Sequence, residues 1–289
     1  MTSPLLHSSV SLFRIACAAV LASTLSVVTS GAEPQPFSYS NDFSAHGASA
    51  KQITTTATSA NDYFSKYSET GTWELINGRI KASWTGSPEG VSSFVKRDFR
   101  DGNLLGAGLY IDNPSLTVTT WWANGNSSDA FLWGYFGVLN ASGQGYIAAV
   151  SRSGIVQFFE VDTLSSDTSS WTLLGSQETG FKQGLNDRNS FAFSIQGNDL
   201  TLTNTKLSDS TNASFSVTLA SLTYSEFTTI VLGGKFGTGP SGSNFNPNFD
   251  DLLVTGTIAG TSIPEPGSVA LVFGAVALAA IALSRRRFR

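Results

Sequence analysis

Two acidic residues one position apart, Glu160 and Asp162, are the chain's nearest approach to a pair of catalytic carboxylates. Alternate side chains of an extended strand share a face, so both would point the same way at the end of the run Ile155 to Val161. Retaining cleavage of a glycosidic bond needs two carboxyl groups about 5 Å apart, one to attack and one to protonate the leaving oxygen. A hydroxyl-rich stretch, Ser165 to Ser170, comes soon after Asp162, so the pair reads as solvent-facing residues at a strand end. His46 is the only histidine between residues 33 and 260 and sits in a Gly/Ala/Ser-rich stretch, whereas a general base needs firm positioning. No His/Cys constellation suits zinc. The expectation is a chain without catalytic residues.

Aromatic residues offer a different chemistry. Trp121-Trp122 closes one apolar run, residues 124–129 are polar, and Phe131 to Phe136 opens the next. Strand alternation sends the two adjacent tryptophans to opposite faces, so one belongs to the core and the other is available. If Trp121, Trp133 and Tyr135 share a concave face, they form a platform on which sugar rings stack, with Asn126 and Asp129 supplying hydrogen bonds at its rim. The alternative is that all of these rings are packing, which is what large aromatics mostly do.

The elements that must position these residues lie between two segments of another kind. At the C-terminus, Pro264-Glu265-Pro266 precedes an uncharged run from Gly267 to Leu283, and Arg285, Arg286, Arg287 and Arg289 come after it. Seventeen helical residues reach about 25 Å, slightly short of a hydrocarbon core of about 30 Å. Six of them are alanine, so the hold on a bilayer is weak. The arginines stay cytoplasmic under the positive-inside rule, which places the rest of the chain on the far side. Motif, marginal helix and basic end together resemble the PEP-CTERM sorting signal of Gram-negative bacteria. That resemblance implies recognition and tail removal by exosortase, a transient inner-membrane stage, and a product at the cell surface or outside it. An ordinary single-pass anchor is the alternative. Ile15 to Val28 after Arg14, followed by Ser30-Gly31-Ala32, reads as a secretory signal with its signal-peptidase site, handled by the general secretion machinery. The expected organisation is residues 1–32 signal, 33–260 folded domain and 261–289 sorting signal.

The domain carries 20 acidic and 12 basic residues, a net of about −8, with no basic stripe to displace counterions; nucleic acid is excluded as a partner. Its pattern is nearly all strand. Alternating or β-branched runs recur at Phe37 to Phe43, Trp73 to Trp84, Val91 to Phe99, Gly108 to Ile111, Leu116 to Trp122, Phe131 to Leu139 and Tyr146 to Val150. They continue at Ile155 to Val161, Phe191 to Ile195, Leu200 to Thr205, Phe215 to Leu219, Thr229 to Gly233 and Phe249 to Thr255. Asn77-Gly78, Ser153-Gly154 and Gly197-Asn198 are hairpin turns between such runs. The expected fold class is all-β, a two-sheet antiparallel jelly-roll sandwich.

Phe37 to Phe43, Asn248 to Gly256 and the strand-turn-strand phrases Trp73 to Ile80 and Arg152 to Phe159 resemble concanavalin A-like (LamG or glucanase-type) sandwiches. In that fold the terminal strands are neighbours, which implies that Asp42 lies near Asp250 and Asp251. Such a carboxylate group would suit Ca2+, which takes six to eight oxygens at about 2.3 to 2.6 Å; the alternative is that Asp250 and Asp251 cap a turn. Laminarinase-type hydrolases of the same fold carry Glu-x-Asp-x-x-Glu, but Ser165 stands where the last glutamate belongs. Address and fold together imply an exported, non-catalytic protein that binds polysaccharide or serves structurally in extracellular matrix. A glycoside hydrolase or lyase, or a protein-binding adhesin, are the other classes open to the sequence.

Overall fold

The structure is a computed structural model that describes residues 34–67, 71–83, 91–123, 133–180, 183, 187–235 and 246–260. Among them are sixteen strands. In chain order they are β1 (Gln35–Asn41), β2 (Lys51–Gln52), β3 (Phe64–Lys66), β4 (Thr72–Leu75), β5 (Ile80–Ser83), β6 (Ser92–Asp98), β7 (Leu109–Ala123) and β8 (Trp133–Asn140). The remainder are β9 (Gly145–Ser151), β10 (Ile155–Val161), β11 (Thr172–Glu178), β12 (Asn189–Gln196), β13 (Asp199–Lys206), β14 (Asn212–Thr218), β15 (Phe227–Lys235) and β16 (Asn246–Gly260). Two single 3-10 turns, Ser59–Asn61 and Thr168–Ser170, are the only helical elements among the described residues.

All strand pairs are antiparallel, and the network folds back on itself as two layers. The first runs β14-β13-β12-β7-β16, with both β1 and β5-β4-β2 on the far side of β16. The second runs β3-β6-β15-β8-β9-β10-β11. One pair, Ile111 with Phe227, joins the layers at a corner. The expected all-β antiparallel sandwich is therefore the architecture found.

Rings from facing strands close the interior. Phe136 of β8 stacks on Phe191 of β12 with centroids 4.9 Å apart, and Phe136 also meets Phe249 of β16 edge-on at 6.2 Å. Trp73 of β4 stacks on Phe249 at 6.0 Å. Each such ring contributes about 1.5 to 3 kcal/mol by leaving water. The turn at Asn77-Gly78 has φ of 51° and 69°, the doubly left-handed geometry that a two-residue hairpin requires and that Asn-Gly tolerates best.

The outer face of the second layer is not left to solvent. Phe94, Tyr135, Leu139, Ile147 and Val231 form a second apolar cluster there, sealed by Leu164 and Trp171 from the segment between β10 and β11. That segment is pinned where Ser92 N donates to Ser166 O at 2.9 Å. Among the described residues, no comparable apolar cluster covers the outer face of the first layer.

Three strands escape a period-two reading. β2 and β3 are two and three residues long, too short for alternation to register. β11, TLLGSQE, is an edge strand whose side chains are largely exposed, so no apolar alternation marks it. The separate runs Gly108 to Ile111 and Leu116 to Trp122 are one fifteen-residue strand, β7, because Pro114 sits inside it without ending it.

Candidate functional site

Alternation builds the open face. Along β7, Leu116, Val118 and Thr120 turn into the core, which directs Ser115, Thr117, Thr119 and Trp121 outward. Strand register carries the pattern sideways. One row reads Ser216, Thr201, Ser194, Ser115, Thr255, Ser38, and the next Ser214, Thr203, Ala192, Thr117, Leu253, Ser40. At about 4.8 Å between strands, six positions span about 24 Å of uncharged, mostly hydroxyl surface. Some hydroxyls pair across strands, Thr201 with Ser216 and Thr203 with Ser214, each at 2.8 Å. A hydroxyl has one donor and two acceptor sites, so each pair keeps capacity for an outside partner.

Charge enters at one end of this face. Thr119 is in register with Asp250, and Trp121 with Asn248, which is in turn in register with Lys81. Two guanidinium groups lie over the Trp121 ring, Arg188 at 4.8 Å and Arg79 at 5.4 Å from its centroid, both within cation–π range. They differ in what neutralises them. Arg188 Nη2 is 3.0 Å from Asp250 Oδ2 and 3.6 Å from Asp251 Oδ2. Arg79 makes no ion pair among the described residues, and its Nε is buried with no hydrogen-bond partner. Burial pushes the Asp250 carboxyl above its ordinary value, against the pull of Arg188.

Trp133 and Tyr135 do not join Trp121. They lie on β8, in the other layer, where Tyr135 is buried in the cluster beneath Trp171 and Trp133 packs against that cluster's margin. The expected three-ring platform is thus corrected to a single outward tryptophan. Its reason is topological: β7 and β8 follow one another in sequence, but β7 pairs with β16 and β12 while β8 pairs with β15 and β9. Burial holds the Tyr135 phenol protonated up to about 12, with Ser92 Oγ 3.3 Å away. Asn126 and Asp129 lie outside the described residues, as do Pro264, Glu265, Pro266, Arg285, Arg286 and Arg287 and the segment 1–32. No helix among the described residues is long and apolar enough to cross a membrane.

β1 and β16 pair as the first and last strands, with Asn41 opposite Leu252. Asp42 and Asp250 nonetheless serve other partners. Asp42 accepts from Ser44 N at 3.0 Å, a bond that holds its carboxyl below the usual range. Asp250 holds Arg188 and accepts from Asp251 N at 2.9 Å. Asp250 and Asp251 are at a bulge inside β16, where Asp251 takes φ 48°, rather than at a turn. Among the described residues no three His, Cys, Asp or Glu side chains converge, so this donor set does not fit an ion that takes six to eight oxygens. Asp162 accepts from the Tyr224 hydroxyl, Glu160 is half-buried opposite Tyr146, and Ser165 belongs to the sealing segment, where its Oγ accepts from Asp167 N at 3.1 Å.

A second polar cluster has no signature in the sequence. Asp62 Oδ2 meets His46 Nε2 at 2.8 Å and Asn41 Nδ2 at 2.9 Å, while its carbonyl accepts from Arg97. Arg97, nearly fully buried, lies over Tyr39, Tyr63 and Phe99 at 4.7, 5.2 and 5.8 Å. Burial lowers its affinity for its proton and raises the Tyr39 phenol. Asp62 and Tyr63 are both left-handed, with φ of 52° and 60°. The cluster ties the β1–β2 connection to β6. Arg79 and Lys81, by contrast, had a legible signal: they alternate with inward Ile80 and Ala82 after the hairpin turn.

No protein-family model and no curated protein matches the chain. Similar solved structures exist. A winged bean acidic lectin complexed with methyl-α-D-galactose is 10% identical over 77% of this chain and 99% of its own, with TM-score 0.47. Lectin I from Ulex europaeus, with the methyl glycoside of α-L-fucose, is 11% identical over 78% and 98%, TM-score 0.45. An alginate lyase from Klebsiella pneumoniae is 12% identical over 64% and 84%, TM-score 0.42. At such identities, ligand chemistry has to be read from this chain's own residues.

Proposed function

We propose that this is an exported protein of the cell surface or extracellular matrix whose open first-layer face binds carbohydrate without transforming it. The observation that carries the reading is the placement of Trp121 on that face, at the head of rows of uncharged hydroxyls. A sugar polymer presents both donors and acceptors along its length, which is the complement of a hydroxyl lattice. The tryptophan and its guanidinium groups give such a chain an anchor at one end. Export rests on the apolar segment after Arg14 and on the Pro264 to Arg289 tail, for which we propose signal peptidase and exosortase as the processing enzymes.

Binding is tested with the full-length protein, purified in mild detergent, on a polysaccharide array. Trp121→Ala should lower retention at least tenfold, and Thr203→Glu, which sets a charge amid the hydroxyl rows, should also lower it. Unchanged retention in both variants would remove the assignment of this face, and release of new reducing ends would replace it with a hydrolytic one. Mass spectrometry of the native product should show ends near Glu33 and near Pro264; intact ends would remove the export route.

A further inference from the structure

We infer that the carbohydrate taken by this face is acidic, a polymer bearing uronic-acid carboxylates, and that Arg79 is the residue that reads the carboxylate. The inference rests on the carbohydrate reading and narrows it. Two cations share the Trp121 ring, but only Arg188 is balanced by acidic neighbours, at 3.0 Å and 3.6 Å from Asp250 and Asp251. Among the described residues Arg79 has no ion-pair partner. Nor do the carboxylates near it answer that charge: Asp250 is in register with Thr119 and committed to Arg188, and Glu74 is in register with Lys81 across the β4–β5 hairpin.

An arginine so placed is prepared for one kind of ligand. The guanidinium carbon lies 5.4 Å from the Trp121 ring centroid, and a cation already held against a ring has less freedom to lose when a ligand arrives. Arg79 is half-buried with its Nε enclosed and unpartnered, and a guanidinium fork matches a planar carboxylate in two parallel hydrogen bonds. A neutral sugar offers no such acceptor pair and would leave Arg79 unneutralised. The surroundings argue for a sugar acid rather than an acidic peptide. Beside the guanidinium pair lie half-buried Ser190 and Thr205, in one cross-strand row with buried Thr119, continuous with the hydroxyl rows. A polymer that alternates hydroxyls with carboxylates satisfies both parts of the surface.

The experiment compares the full-length protein against polygalacturonate, a neutral β-glucan and dextran sulfate of similar length, by surface plasmon resonance at two salt concentrations. Wild type should bind polygalacturonate at least tenfold more tightly than the glucan, with affinity falling as salt rises. Arg79→Gln should abolish that preference by weakening polygalacturonate binding far more than glucan binding, and Arg79→Lys should restore part of it, since a point charge lacks the fork. Equal binding of glucan and polygalacturonate, or a preference untouched by Arg79→Gln, overturns the inference but keeps carbohydrate binding. Dextran sulfate binding as tightly as polygalacturonate overturns the assignment to carboxylate. Failure of all three polymers to bind removes both readings.

Discussion

Arg188 lies over the ring of Trp121, 4.8 Å from its centroid, so the indole faces solvent beneath a cation and not as a bare stacking surface. This one relationship changes which ligand the open face suits.

Arg188 is held in balance by Asp250, so removing that acid should release a second positive group. Asp250→Asn is expected to raise polygalacturonate affinity several-fold at low salt and to steepen its salt dependence, because exposed charges are screened over about 8 to 10 Å at physiological salt. Titration calorimetry at two ionic strengths checks this. Unchanged affinity would mean that Arg188 takes no part.

Asp62 gathers His46 and Asn41 on a single oxygen at 2.8 and 2.9 Å while in a left-handed conformation. Asp62→Asn keeps a residue that tolerates that backbone but removes the charge-assisted bonds, at a cost of about 1 to 3 kcal/mol. Asp62→Ala should cost roughly 1 kcal/mol more, for the strained φ. Urea unfolding orders the two variants; an alanine no worse than asparagine would show that the backbone term is absent.

Gly233 lies under Phe94, and a Cβ built there would sit 2.3 Å from Phe94 Cδ1 and 2.8 Å from the Ser93 carbonyl oxygen. Gly233→Ala should therefore destabilise the domain by about 1 to 3 kcal/mol. Gly47, where an added Cβ would meet nothing within 4 Å, is the matched control and should tolerate alanine. Thermal melts of both decide the point.

Tyr135 gives the domain an alkaline limit. An unfolded tyrosine loses its proton near 10.0, whereas burial holds this one to about 12. The folded chain thus binds the extra proton between those values, and stability, full below pH 10, falls by roughly 2 to 3 kcal/mol as pH rises through the interval. Tyr135→Phe should flatten the fall in denaturant midpoint between pH 10 and 12. An equally steep curve in the variant would assign the loss to other groups.

Much of the strand pattern was legible because each long strand buries one face. Ile155 to Val161 coincides with β10 for that reason, and Asn77-Gly78 forms its turn because two consecutive positive φ values suit few other pairs. β2, β3 and β11 were not legible, being too short or too exposed for alternation to show. At the site, alternation left one of two adjacent tryptophans for the outer face, and Trp121 is found there beside Arg79 and Arg188. Its expected partners Trp133 and Tyr135 were misplaced because proximity in sequence says nothing about which layer a strand enters.

By itself the sequence determined the all-β class, the Asn77-Gly78 hairpin and the outward or inward sense of many strand residues, since these come from period-two burial and local turn chemistry. Only the tertiary structure decided that β7 and β8 part into different layers, that the second layer is sealed by Leu164 and Trp171, and that Arg79 and Arg188 meet at Trp121. The physical reason is that strand order and layer assignment depend on long-range pairing and on burying all the large rings at once, terms that no local window of residues contains.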